Sequence, residues 1–131
     1  MTVYSKERVK LLHQLIAQAT GGEMGLRDEG LLEAALNAAF ASFDGKDLYP
    51  TKVDKAARIG YDLIANHAFL DGNKRIGMYV MIAFLEGNSI AFDATADEVV
   101  ATGMAVAAGK MDFAALRTWL YEHVSGVDGK P

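Results

Sequence analysis

The sequence predicts an all-α fold: one compact domain over residues 1–131, built as a bundle of about six helices around a buried fourth helix. Three observations predict it. Alanine fills 21 positions while proline fills only 50 and 131, a composition that favours short helices over strands. Apolar residues recur at helical rather than alternating spacing. Helix-capping residues, namely Ser5, Asp28, Thr51, Thr95 and Asp112, stand just ahead of those recurrences. At 131 residues, 51% hydrophobic and 23% charged, the chain can bury one core and not two, and with no cysteine it is no disulfide scaffold.

Ser5 caps a first helix whose apolar residues are Val9, Leu12, Leu15 or Ile16, and Ala19, with His13 inside it and Gly21-Gly22 ending it. Asp28 caps a second, through Leu31, Leu32, Ala35, Leu36, Ala39 and Phe40. Gly45 and Pro50 mark a loop. Thr51 with Asp54 resembles a capping box for a third helix, whose apolar face runs Val53, Ala56, Ala57, Gly60, Leu63, Ile64 and then His67. A histidine in register with that stripe is expected to have its backbone fixed by packing. The fourth helix, to about Glu86 and closed by Gly87-Asn88, is apolar nearly all round, which places it in the middle of the bundle. Ser89 to Phe92 suits a short extended piece. Thr95 and Glu98 open a fifth helix to about Ala108, Asp112 opens a sixth to about His123, and Val124 to Pro131 is expected to be a frayed tail.

The formal net charge of -4 argues against coating nucleic acid or lying on an anionic membrane, both of which need an excess of Lys and Arg. The longest uncharged apolar stretch, Ile76 to Leu85, is well short of the roughly 20 residues of a membrane span. Met1 to Lys10 is polar and charged, unlike a secretory leader, so a cytoplasmic protein is expected. Without cysteine, and with His13, His67 and His123 outside any zinc-binding spacing, thiolate catalysis and a zinc site of familiar type are disfavoured.

The chemistry is concentrated in His67-Ala68-Phe69-Leu70-Asp71-Gly72-Asn73-Lys74-Arg75, directly ahead of the most apolar helix. Gly72 allows a tight turn, after which the N–H groups of Asn73, Lys74 and Arg75 point out of a helix start. Such an end carries roughly half a positive charge, and Lys74 and Arg75 add two cations, so the segment suits the phosphates of a nucleotide. An Asp beside a polyphosphate suits Mg2+, which takes one carboxylate plus phosphate oxygens, and Asp71 stands there. His67 is the one group in the segment able to exchange a proton near neutral pH, as a general base on an attacking hydroxyl must. Phe69 reads as an apolar peg that folds the loop onto the core and aims His67.

This motif resembles the signature of the Fic/Doc superfamily, in the form carried by the death-on-curing toxins of toxin-antitoxin pairs. Seven fixed residues at set spacing arise by chance with a probability on the order of 10⁻⁷ at average composition. Gly21-Gly22, Gly25-Leu26-Arg27-Asp28 with Leu31, Leu32 and Ala35, Leu48-Tyr49-Pro50 and Lys55-Ala56-Ala57 extend the resemblance into the amino-terminal half. The resemblance implies His67 as catalytic base, Asp71 as the magnesium-binding or supporting acid, Gly72 and Asn73 in the phosphate loop, and Lys74 and Arg75 on phosphate. Adenylyl-transferring members have Gly where this chain has Lys74. Doc-type members with Lys there are similar to kinases that move the γ-phosphoryl of ATP onto a threonine of the translation factor EF-Tu, which implies translation arrest. The resemblance also implies an antitoxin partner of Phd type.

Ala68 departs from the Pro common after the motif histidine, and Tyr79 stands where some relatives place a small amide. Thr118 to Glu122 fits part of an inhibitory-helix pattern of some members, and His123 departs from it. Two other readings stay open: transfer of AMP or another phosphate-containing group, and a catalytically idle binding protein. Met78, Met81, Met104 and Trp119 read as core, His13 and His123 as structural or exposed, and Lys52, Lys55 and Arg58 as the solvent face of the third helix.

Overall fold

A computed structural model describes residues 1–23 and 25–125. In order it contains α1 (Lys6–Thr20), α2 (Glu29–Ala38), β1 (Ser42–Phe43), β2 (Lys46–Asp47), α3 (Lys52–Ala65), α4 (Asn73–Gly87), β3 (Ala91–Phe92), α5 (Ala96–Ala107), α6 (Phe113–Glu122) and β4 (Val124–Ser125). The protein is all-α, and strands among the described residues are confined to two short antiparallel pairs, β1 with β2 and β3 with β4. The five expected caps form: the side chains of Ser5, Asp28, Thr51, Thr95 and Asp112 each accept an N–H from the first turn of their helices.

The fourth helix is central, and it shares the centre with α3. α3 packs against α2, α4, α5 and α6, while α4 packs against α1, α3, α5 and β3. Two glycines let α3 and α4 approach closely. A Cβ on Gly77 would lie 2.6 Å from Cγ1 of Ile64 and 3.0 Å from the Gly60 carbonyl oxygen, and one on Gly60 would lie 2.8 Å from Sδ of Met81. Around this crossing lie Leu63, Ile64, Ile76, Met81, Phe84 and Leu85, all essentially closed to solvent. Such a seam fixes the start of α4, and hence the motif, against the core.

Several sequence expectations are corrected. α1 buries Val9, His13 and Ala17, with Leu12 and Ile16 half-buried, whereas Leu15 and Ala19 face solvent: the stripe is rotated by about one residue. α2 stops at Ala38, so Phe40 packs from a turn rather than a helix. The loop after it is a hairpin turning at Asp44 and Gly45, whose φ values of 53° and 77° suit the mirror-image turn that short hairpins require.

Asp54 does not complete a capping box. Its buried carboxylate instead accepts hydrogen bonds from Arg117 Nε (2.6 Å) and the Tyr121 hydroxyl (2.9 Å), tying α3 to α6. Lys55 and Arg58 are not on a solvent face either. Lys55 is buried, paired with Asp47 and bonded to the Tyr49 carbonyl, while Arg58 pairs with Asp62 and lies over the rings of Phe113, Tyr61 and Tyr49. Val124 and Ser125 are not frayed, because β4 pairs with β3. The remainder of that expected tail, 126–131, lies outside the described residues. No helix among the described residues is long and apolar enough to cross a membrane.

Candidate functional site

The motif occupies the turn between α3 and α4. α3 ends at Ala65, and Asn66 caps it with its N–H on the Asp62 carbonyl. His67 therefore lies beyond the helix and exposed, not in the buried stripe, with a left-handed φ of 51°. The reason is the turn itself. Ala68 and Phe69 enter the core at 0% and 2% exposure, and a left-handed residue just before them directs the chain inward while leaving the imidazole outside.

Two remote segments hold this turn. Residues 25–28 run alongside it as a short antiparallel bridge, Leu26 opposite Phe69. Arg27 and Asp28 donate their N–H groups to the Ala68 carbonyl, and Leu70 donates to the Gly25 carbonyl. The Arg27 guanidinium donates to the carbonyls of His67 (Nε, 2.7 Å) and Asn66 (Nη2, 3.2 Å), supplying donors at the end of α3. From α1, His13 stacks on Phe69 with centroids 3.8 Å apart, and its Nε2 meets the Asp71 carbonyl at 2.6 Å. The peg reading of Phe69 is met, and Asn73 adds to it: Oδ1 accepts the Phe69 N–H and Nδ2 donates to the Phe69 carbonyl, both at 3.0 Å.

His67, Asp71, Gly72, Asn73, Lys74 and Arg75, the residues singled out in the sequence, line one cavity of about 250 Å³ together with Ile64, Leu70 and Ala107. Gly72, at φ 78°, caps α4, and the first intrahelical bond runs from Ile76 N–H to the Gly72 carbonyl. The N–H groups of Asn73, Lys74 and Arg75 thus have no intrahelical acceptor and form the positive end of a 15-residue helix. The Asn73 side chain is engaged with Phe69, so that residue offers an anion its backbone N–H. The Lys74 stem crosses Gly103 of α5, where a Cβ would lie 3.1 Å from Lys74 Cγ. Among the described residues its ammonium makes no hydrogen bond or ion pair, and neither does the His67 imidazole. Arg75 reaches toward the end of α1, where Nη1 donates to Thr20 Oγ1 at 3.3 Å.

The N–H groups of a helix start, an ammonium and an imidazole that are unpaired among the described residues, gathered around one cavity, can hold a phosphate group and take a proton beside it. A sequence profile of the Fic/DOC family matches residues 3–85. The chain belongs to the Fic/DOC family. It is 43% identical over 79 residues to Toxin Doc of Mycolicibacterium smegmatis, a stretch covering 60% of this chain and 61% of that relative. The profile match takes in α1 to α3 and α4 as far as Leu85, and thus His13, Arg27 and the whole motif of this Fic/DOC protein.

Sequence reasoning passed over His13 and Arg27 as members of the site. His13 carried a usable signal, since it falls four residues from both Val9 and Ala17 and so lies on their buried face. Arg27 carried none beyond its place in the resembling segment, because its partners are backbone carbonyls some 40 residues away.

Proposed function

We propose that this protein is a Doc-type toxin, a cytoplasmic kinase that moves the γ-phosphoryl group of ATP onto a Ser or Thr hydroxyl of a translation factor such as EF-Tu and so arrests growth. The observation that carries the proposal is the meeting, on one 250 Å³ cavity, of the Lys74 ammonium, the N–H groups that start α4 and the His67 imidazole, the two side chains making no hydrogen bond or ion pair among the described residues. That volume suits phosphates rather than a whole nucleotide. A second cavity of about 490 Å³, lined mainly by apolar side chains of α1, α4 and α5, shares Lys74 and Arg75 with the first. A ligand with a charged part and an apolar part fits the two together.

The residues also suit a magnesium–phosphate group. Among the described residues no three carboxylates or imidazoles converge, so the protein offers no cage of its own, and Mg2+ here needs phosphate oxygens beside Asp71. The Asp71 carboxylate accepts the Gly72 N–H at 2.8 Å, taking the place a phosphate oxygen would take. When bound, Mg2+ neutralises phosphate charge. Asp71 would be the residue to hold the ion, and its carboxylate already stands at the Gly72 N–H, at the start of the phosphate site. Lys74 balances charge on the transferred group, and Arg75 holds a neighbouring phosphate. An imidazole nitrogen of His67 accepts the hydroxyl proton as the new O–P bond forms; the bond to the β-phosphate oxygen breaks and ADP leaves. General-base action supplies about 10²- to 10⁴-fold, so positioning at α4 carries most of the acceleration. Lys74 fills the room a glycine would leave at that position, which favours γ-phosphoryl transfer over AMP transfer.

An antitoxin of Phd type, folding a tail against this domain, completes the reading, and copurification with the neighbouring gene product tests it. The activity is tested by incubating the protein and EF-Tu with separately α- and γ-labelled ATP. Label from the γ position on EF-Tu, lost in His67→Ala and Lys74→Ala, is expected; label from the α position overturns the kinase reading. Induced expression that slows growth in the wild type but not in His67→Ala tests toxicity.

A further inference from the structure

We infer that His13 of α1 is a positioning residue that holds the Asp71–Gly72 peptide with its carbonyl turned into the core and its N–H turned out to the phosphate site. The inference rests on the phosphate site proposed above for Asp71 to Arg75. His13 is 2% exposed and stacks on Phe69 at an interplanar angle of 12°. Its Nε2 lies 2.6 Å from the Asp71 carbonyl oxygen. A carbonyl oxygen can only accept, so Nε2 carries the ring proton. Nδ1 is buried and has no hydrogen-bond partner among the described residues. A buried ring with one nitrogen unpartnered is poorly explained as packing, for which an apolar ring of the same size serves better. It is explained by the hydrogen bond that its other nitrogen makes.

The consequence follows from peptide geometry. Across a trans peptide the C=O and N–H point in opposite directions, so a carbonyl held inward forces the N–H of Gly72 outward. That N–H now meets the exposed Asp71 carboxylate at 2.8 Å, on the side where the N–H groups of α4 begin. A flipped peptide would instead present a carbonyl oxygen to the anion and repel it. Gly72 is the residue most able to flip, having no side chain to resist it. Its own Cβ position lies only 3.4 Å from His13 Nε2, so the ring is seated directly against the peptide it holds.

His13→Phe keeps the stacked ring and removes the donor, whereas His13→Gln loses the ring and can place an amide N–H near the Nε2 position. Binding of inorganic tripolyphosphate and of Mg-ATP is measured by titration calorimetry on the full chain, alongside amide spectra. For His13→Phe the expectation is a fold unchanged by circular dichroism, a shifted Gly72 amide signal, an unshifted Asn88 signal at the far end of α4, and affinity for both ligands lower by about tenfold, the size of one lost hydrogen bond. His13→Gln restores most of that affinity. Wild-type affinity and an unmoved Gly72 signal in His13→Phe overturn the inference, as does finding the wild-type ring proton on Nδ1. If the wild type binds neither ligand, the phosphate-site reading fails, and the Gly72 signal still decides whether His13 sets the peptide.

Discussion

Replacing Arg27 with alanine should uncouple the reactivity of His67 from the stability of the fold. Arg27 is exposed, so the two carbonyls it leaves, those of Asn66 and His67, pass to water, and global stability falls by about 1 kcal/mol or less. A shift of that size lowers the melting temperature by roughly 3–6 °C in a chain of this length. The local effect is larger in consequence. His67 holds a left-handed φ of 51°, a conformation that disfavours a residue with a side chain by about 1–2 kcal/mol, and the 2.7 Å bond from Arg27 Nε to its carbonyl offsets that strain. With the offset removed, other backbone conformers gain up to about fivefold relative to the left-handed one, the same ~1 kcal/mol, and the imidazole is held less firmly at the cavity. Phosphoryl transfer should therefore fall by up to about fivefold, while Mg-ATP affinity stays near wild type because Gly72 to Arg75 are untouched. Arg27→Lys, which can reach one carbonyl, should recover part of the rate. Transfer rates from initial-velocity labelling and affinity from calorimetry provide the comparison. A rate unchanged in Arg27→Ala, or a loss of affinity matching the loss of rate, would refute the reasoning.

Gly77→Ala should destabilise the protein by about 1–3 kcal/mol in urea unfolding despite the better helix propensity of alanine, because its Cβ meets the branched Ile64 side chain and the Gly60 carbonyl; a neutral or stabilising result would show that α3 and α4 can separate freely. Arg117→Ala should lose about 1–2 kcal/mol, a buried pair discounted for the half-exposed arginine, and Arg117→Ala with Asp54→Asn should lose less than the two single changes summed, as a double-mutant cycle would show. The Glu98 carboxyl is held below its ordinary value by the Thr95 N–H and hydroxyl, and then by His123. A depressed carboxylate contributes stability above the unfolded value of 4.5 that is lost as pH falls through the folded value, so Glu98→Gln should lower stability at neutral pH, converge with the wild type in acid, and so show a flatter profile below pH 4.5. Burial holds the Tyr121 hydroxyl above its ordinary value of 10.0, so its contribution is complete below pH 10.0 and lost as pH rises beyond, and Tyr121→Phe should remove that alkaline loss in thermal melts.

The helices were legible because their caps and apolar periods are local. Thr95 and Glu98 close a full capping box, and Asp112 caps α6, as three-residue spacings indicate. The motif was legible for the same reason, since Gly72 and the N–H groups beyond it lie within one turn of each other. What escaped was set by partners distant along the chain. Asp54 looks like a capping residue until α6 supplies Arg117 and Tyr121, some 60 residues later. Lys55 looks solvated until the β1–β2 hairpin brings Asp47 and the Tyr49 carbonyl over it. His67 seemed to continue the stripe of α3, because periodicity alone does not show where a helix stops; Asn66 and the inward turn of Ala68 decide that.

The same division separates chemistry from geometry within the site. The nine motif residues carry every group proposed to touch phosphate or the attacking hydroxyl, yet two of them hold backbone conformations that a free loop would not keep: His67 at φ 51° and Gly72 at φ 78°. Each is also held from outside the motif. His67 is held through its carbonyl by Arg27, from the segment before α2, and the peptide of Gly72 through the Asp71 carbonyl by His13, from α1. Each anchor acts on main chain, so it fixes direction without occupying the cavity, and His67 and Lys74 keep their polar ends free. The amino-terminal part of the family match, which contributes none of the proposed reacting groups, is thereby tied to the proposed function: α1 and residues 25–28 form the frame that holds the turn between α3 and α4, where the proposed base and phosphate cradle face one cavity.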